Sequence, residues 1–123
     1  MHTLAFSPDG QLLASAGSDL SIRLWDVETG VSCGTLEGHS GKVVAGIFSP
    51  DGKRLFSAAH DQLIKIWDVE TREELATLRG HTNRVIWLAI SPDGNSLASS
   101  GEDGQVILWK APKPLEVLTT NSD

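Results

Sequence analysis

A chain of 123 residues, 40% apolar and 21% charged, has room for one packed domain and too many apolar residues to stay disordered. Its formal charge of −6 argues against a nucleic-acid partner, because phosphate contacts need clustered cations, and those at Lys53, Arg54, Lys65, Arg72, Arg79 and Arg84 are offset by nearby acids. Met1–Phe6 shows no basic start leading into an apolar segment and no apolar run reaches about 18 residues, so no signal peptide, no membrane span and a cytoplasmic location are expected.

The predicted elements begin with a first strand that the chain enters directly and that ends at Ser7-Pro8-Asp9-Gly10. The only complete unit spans Gly38 to Asp68 and its continuation. In it, Lys42–Ser49 is an apolar run short enough for a strand, closed by the turn residues Pro50-Asp51-Gly52. Arg54–Ala59 is a second strand and Asp61-Gln62 the next turn. Leu63–Trp67 alternates Ile64 and Ile66 against Lys65, the period of a sheet. Glu70–Arg72 turns again, and Glu74–Leu78 leads into Gly80-His81. The third unit ends differently. Lys110 follows Trp109 where the other units have Asp, Pro112 and Pro114 each remove a backbone donor, and the last strand, Leu115–Thr120, should be shortened or pushed to an edge before the tail 121–123. No stretch has useful helical periodicity.

These elements repeat in register. Ser-Pro-Asp-Gly begins at Ser7, Ser49 and Ser91, followed by Asp19, Asp61 and Asp103, then Trp25, Trp67 and Trp109, with Gly-His at Gly38 and Gly80, each series advancing by 42 residues. Four markers in one frame, at a period of about 40–45 residues, are the pattern of four-stranded propeller blades. From about Thr3 to Trp109 the chain resembles the WD-repeat β-propeller family. The expected fold is all-β: three antiparallel meanders stacked radially, with blade 1 at 1–42, blade 2 at 43–84 and blade 3 at 85–120. Gly10, Gly52 and Gly94 close the first hairpins, where positive φ suits glycine.

His39, Ser57 and Asp61 have the residue types of a catalytic triad. The same set recurs in successive units, whereas a catalytic centre is needed once, and the chain has no Gly-x-Ser-x-Gly elbow. No catalytic residue, metal ligand set or cofactor is therefore expected. The resemblance implies instead a structural tetrad in each blade: Ser15, Asp19 and Trp25; Ser57, Asp61 and Trp67 with His39; Ser99, Asp103 and Trp109 with His81. The Asp accepts from the His, the His contacts the Ser, and the Ser reaches the Trp nitrogen. The first unit lacks its His, so Asp19 should be the least satisfied unless another chain supplies a donor. Leu13, Leu55 and Leu97 align as packing positions, as do Leu24, Ile66 and Leu108. Cys33, the only cysteine, aligns with Leu75 and Val117 and is expected to be a small buried hydrophobe.

Closed propellers have about four to eight blades, so three leave two apolar faces open. Missing blades before Met1, or self-association into a ring of two or three copies, would each resolve this. The resemblance implies a protein-protein interaction scaffold that binds a protein or peptide on the rim near the Gly-His side. Candidate rim positions are Ser18, Lys42, Val44, His60, Arg84, Ile86 and Glu102, which carry unlike chemistry at equivalent places. Trp87, in place of Ala45, is expected to pack rather than to anchor a partner. The alternatives are a structural segment completing the propeller of a larger regulatory protein, or an enzyme module with a site in the channel.

Overall fold

The computed structural model describes residues 3–17 and 20–110, and every regular element among them is a strand. β1 (Thr3–Phe6), β2 (Leu12–Ala16), β3 (Ser21–Asp26) and β4 (Ser32–Glu37) form one antiparallel sheet in chain order. A second consists of β5 (Val43–Phe48), β6 (Arg54–Ala59), β7 (Ile64–Asp68) and β8 (Glu74–Leu78), and a third has β9 (Val85–Ile90), β10 (Ser96–Gly101) and β11 (Val106–Lys110). The architecture is the predicted row of propeller blades, and the row is open. The expected last strand at 115–120, the tail, and Ser18 and Asp19 lie outside the described residues. β1 approaches β5 and β5 approaches β9, so the first strand of each blade is the inner one.

Each first hairpin is built by one small network. Ser7, Ser49 and Ser91 donate their hydroxyls to Asp9, Asp51 and Asp93 at 2.6 Å, and each hydroxyl oxygen accepts the backbone N–H five residues on at 3.0 Å. The serine hydroxyl and the backbone N–H groups hold all three carboxyls below their ordinary range. Gly10, Gly52 and Gly94 complete the turns at φ of 73°, 75° and 77°.

The second blade buries both of its faces. Toward the first blade it presents Val43, Leu55 and Trp67, which pack with Ile22, Leu24 and Leu36. Toward the third it presents Phe56, Ala58, Ile64 and Leu78, which pack with Val85, Leu97 and Trp109. Each fully buried Leu or Ile there contributes about 1.5–3 kcal/mol. Two-sided burial also explains Lys65, which the alternation pattern sets against Ile64 and Ile66. It is 6% exposed and its Nζ donates to Glu74 at 2.8 Å and Thr77 at 3.0 Å. The charge is buried because its partners are on the adjacent strand.

Two expectations need correction. Cys33 is exposed rather than buried, and its repeat partner Leu75 is 37% exposed. Trp25 pairs with Ser32 while Leu24 pairs with Gly34, so Cys33 is the extra residue of a β-bulge, and Leu75 is its counterpart between Glu74 and Ala76. Leu36 and Leu78 are the inward residues of these outer strands. Trp87, expected to pack, is 68% exposed. It stands on the third blade's free face, where the equivalent Ala45 of the second blade is covered by its neighbour. At the other end of the row Phe6 is 64% exposed, whereas the equivalent Phe48 is buried.

Position relative to the row should govern stability. Leu55→Ala is expected to cost about 2–5 kcal/mol in denaturant unfolding, whereas Leu13→Ala, at the same repeat position on the open face, should cost well under half as much.

Candidate functional site

The polar centres of the second and third blades are each assembled across a blade junction. After β4 the chain passes Gly38 and His39 and re-enters at β5, so the imidazole leaves the first blade and lodges in the second. His39 Nδ1 stands 2.8 Å from Asp61, His39 Nε2 2.7 Å from Ser57 Oγ, and Trp67 Nε1 donates to the same Oγ at 2.8 Å. The third blade has the same set: His81 Nδ1 to Asp103 at 3.0 Å, His81 Nε2 to Ser99 at 2.8 Å, and Trp109 to Ser99 at 2.8 Å. In the first blade Trp25 donates to Ser15 at 2.8 Å, and Asp19 lies outside the described residues.

One assignment of protons satisfies every atom. The tryptophan N–H donates to serine, the serine O–H donates to Nε2, and Nδ1–H donates to the carboxylate, which requires a neutral imidazole. Burial pushes the His39 ring below its ordinary range, and the Asp61 carboxylate opposes this only in part. The carboxylates are themselves held by backbone. Ser40 N–H and Leu63 N–H donate to Asp61 at 2.9 and 3.0 Å, and Thr82 N–H and Gln105 N–H donate to Asp103 at 2.8 and 3.0 Å. Burial would raise the Asp103 carboxyl, but these donors and the His81 ring outweigh it and hold it low. The serines are 0% and 2% exposed, so neither presents a nucleophile to solvent. Among the described residues no three His, Cys, Asp or Glu side chains gather to hold a metal.

The glycine before each histidine is required by close approach. A Cβ on Gly38 would stand 3.1 Å from the Trp67 indole and 2.9 Å from Glu74, and one on Gly80 would stand 3.0 Å from the Trp109 indole. The Gly-His turn thus seats its glycine on the receiving tryptophan and its imidazole on the receiving serine.

Directly above these centres lie the candidate rim residues. His60 N–H donates to the Lys42 carbonyl and Glu102 N–H to the Arg84 carbonyl, both at 2.9 Å, which brings the candidates of each blade together in pairs. Val44 and Ile86 are the extra residues of bulges in β5 and β9, since Val43 pairs with Ala59 and Ala45 with Ala58, and likewise Val85 with Gly101 and Trp87 with Ser100. Bulges re-aim side chains, and Ile86 is 44% exposed. Lys42, Arg84 and Glu102 are exposed, His60 and Val44 half-buried, and Ser18 lies outside the described residues. The sequence shows the candidate positions but not these bulges, which arise from pairing register.

Residues 2–26, 30–68 and 72–110 match the WD domain, G-beta repeat family. The chain belongs to the WD40 repeat family. It is 40% identical over 45 residues to a periodic tryptophan protein 2 homolog of Dictyostelium discoideum, a match covering 37% of this chain and 5% of that protein. It is 44% identical over 43 residues to nuclear distribution protein nudF 1 of Talaromyces marneffei, covering 35% and 9%. It is also 51% identical over 37 residues to a probable serine/threonine-protein kinase PkwA of Thermomonospora curvata, covering 30% and 5%. Each match is about one WD40 repeat long, less than a tenth of the relative's length.

Removing the shared hydroxyl should expose the structural weight of the centre. Ser57→Ala leaves His39 Nε2 and Trp67 Nε1 buried without partners, at about 1–3 kcal/mol each, and Ser15→Ala should cost less because Trp25 is only half-buried. Because the folded state keeps His39 neutral while the unfolded chain takes up the proton first, stability should be full above about pH 6.5 and fall as pH drops below it. Denaturant midpoints between about pH 5 and 7.5 check this, and His39→Gln should flatten the slope.

Proposed function

We propose that the chain is part of a non-catalytic, cytoplasmic protein-interaction scaffold that binds a protein or peptide on the rim formed by Lys42, Val44 and His60 of the second blade and Arg84, Ile86 and Glu102 of the third, with Ser18 at the equivalent place in the first. The observation that carries this reading is the contrast between layers. Underneath, the second and third blades hold the same Asp, His, Ser and Trp in the same hydrogen bonds. At the rim, equivalent positions hold His60 against Glu102, and a half-buried Val44 against an exposed Ile86. A constant support under a variable surface suits recognition, because the tips can differ without disturbing the frame.

A second reading is that these blades complete the propeller of a larger regulatory protein. It rests on the short span of the chain relative to its relatives, one of which is named as a probable protein kinase. In both readings the blades supply positioning, and bond making belongs to other parts of an assembly.

Affinity capture with the wild-type chain as bait, followed by a binding titration with the recovered protein, tests the rim. Lys42→Glu with Arg84→Glu should weaken binding by about tenfold or more, while charge reversal at Lys53, on the opposite edge, should leave it within about twofold. Equal loss from both changes would reject the rim as the binding surface.

A further inference from the structure

The rim differs from blade to blade, yet one pair of residue types recurs on it. Lys42 and Arg84 stand at equivalent positions after the two Gly-His turns, and Val44 and Ile86 follow two residues later. Val44 and Ile86 are the extra residues of the bulges in β5 and β9, so both are turned out of the strand alternation. Val44 is half-buried and Ile86 exposed, and both cations are exposed. Two adjacent blades therefore each set a cation and a β-branched side chain at the start of the inner strand, and β5 lies beside β9.

The cations are uncommitted. Among the described residues neither takes part in an ion pair, although acids outnumber Lys and Arg by 16 to 10 in the chain. The carboxylates beneath them are engaged elsewhere. Asp61 is met by His39 and the N–H groups of Ser40 and Leu63, and Asp103 by His81 and the N–H groups of Thr82 and Gln105. What differs is the residue bound beside each cation. His60 N–H donates to the Lys42 carbonyl and Glu102 N–H to the Arg84 carbonyl. Glu102 thus offsets Arg84, whereas the equivalent place beside Lys42 holds no acid.

We propose that the rim partner is an acidic peptide segment with an apolar residue close to its acid, the carboxylate lying against Lys42, with Arg84 as the weaker second cation, and the apolar side chain lying on Val44 and Ile86. This rests on the rim reading given above and narrows it to one ligand chemistry. A carboxylate is attracted to an unpaired ammonium as a basic or neutral segment is not, and covering Val44 and Ile86 removes apolar surface from water. A nucleic acid would bring the same charge, but two cations neutralise few phosphates and neither Val44 nor Ile86 has a ring on which a base could stack.

Selection from a random peptide library displayed on phage, with the full chain as target, supplies the probe, and fluorescence anisotropy with a recovered peptide measures it. Recovered sequences should be rich in Asp and Glu beside Leu, Ile or Val. Lys42→Glu should weaken the peptide by about tenfold or more, Arg84→Glu by less, and Ile86→Ser by about threefold or more. Glu102→Gln should tighten it by about twofold, and affinity should fall as salt rises. The Glu102→Gln gain is decisive, because damage to the fold weakens binding and does not strengthen it. Peptides that need Lys42 and Ile86 but are basic or uncharged, or a Glu102→Gln change that weakens binding, would overturn the acidic class and leave the rim reading standing. Peptides indifferent to all four changes, or recovery of no peptide, would remove both. Displacement of the peptide by a single-stranded oligonucleotide at about 0.15 M salt would make nucleic acid the ligand instead.

Discussion

An imidazole that leaves one sheet and completes the polar centre of the next is the constraint on which this structure depends. Sheets that merely stack apolar faces can slide and rotate over each other, because apolar burial has no direction. His39 removes that freedom. Its two ring nitrogens meet Asp61 and Ser57, which are on different parts of the second blade, and it can meet both only in one arrangement of the two blades. The same ring also fixes strand register within the blade, because Ser57 on β6 must at once face Trp67 on β7. A slip by one residue would turn the serine to the opposite face and leave three buried polar groups unpartnered.

The polar atoms of the centre are engaged by the same bonds that hold it in place. A serine beside a histidine and an aspartate reads like acid-base machinery until its partners are counted. The Ser57 oxygen is engaged by an indole, the carboxylate of Asp61 by two backbone N–H groups, and nothing points to open space. The surface above is different in kind. Bulges at Val44 and Ile86 turn side chains out of the alternating pattern just where the inner strands begin.

Much of this is legible in the sequence, and the boundary of what is legible has a physical cause. Gly10, Gly52 and Gly94, the serine and aspartate of each first hairpin, and the Asp, His, Ser and Trp series act through local turns or through bonds that recur from the second blade to the third, so a fixed spacing reveals them. Cys33 and Leu75 escaped because their exposure comes from a bulge, a property of pairing with the neighbouring strand rather than of residue type. Trp87 escaped because alignment with a buried Ala45 says which face a residue occupies but not whether a neighbour covers that face. Lys65 escaped because its partners, Glu74 and Thr77, come from the next strand and from outside the repeating set.

Lys65 also shows that the repeats are not interchangeable. Under Gly38 the second blade sets an ion pair, with Glu74 and the lysine stem beside the glycine, whereas under Gly80 the third blade sets Ile107. Arg72 reaches back from the second blade to lie over Gly34, so close that any side chain at 34 would collide with it, and the equivalent residue one repeat later is Ala76. A blade set after the first therefore meets a different surface from one set after the second. The order of the blades is written into their contact surfaces as an address. The units share one frame, while the surface that each presents to the blade before it is its own.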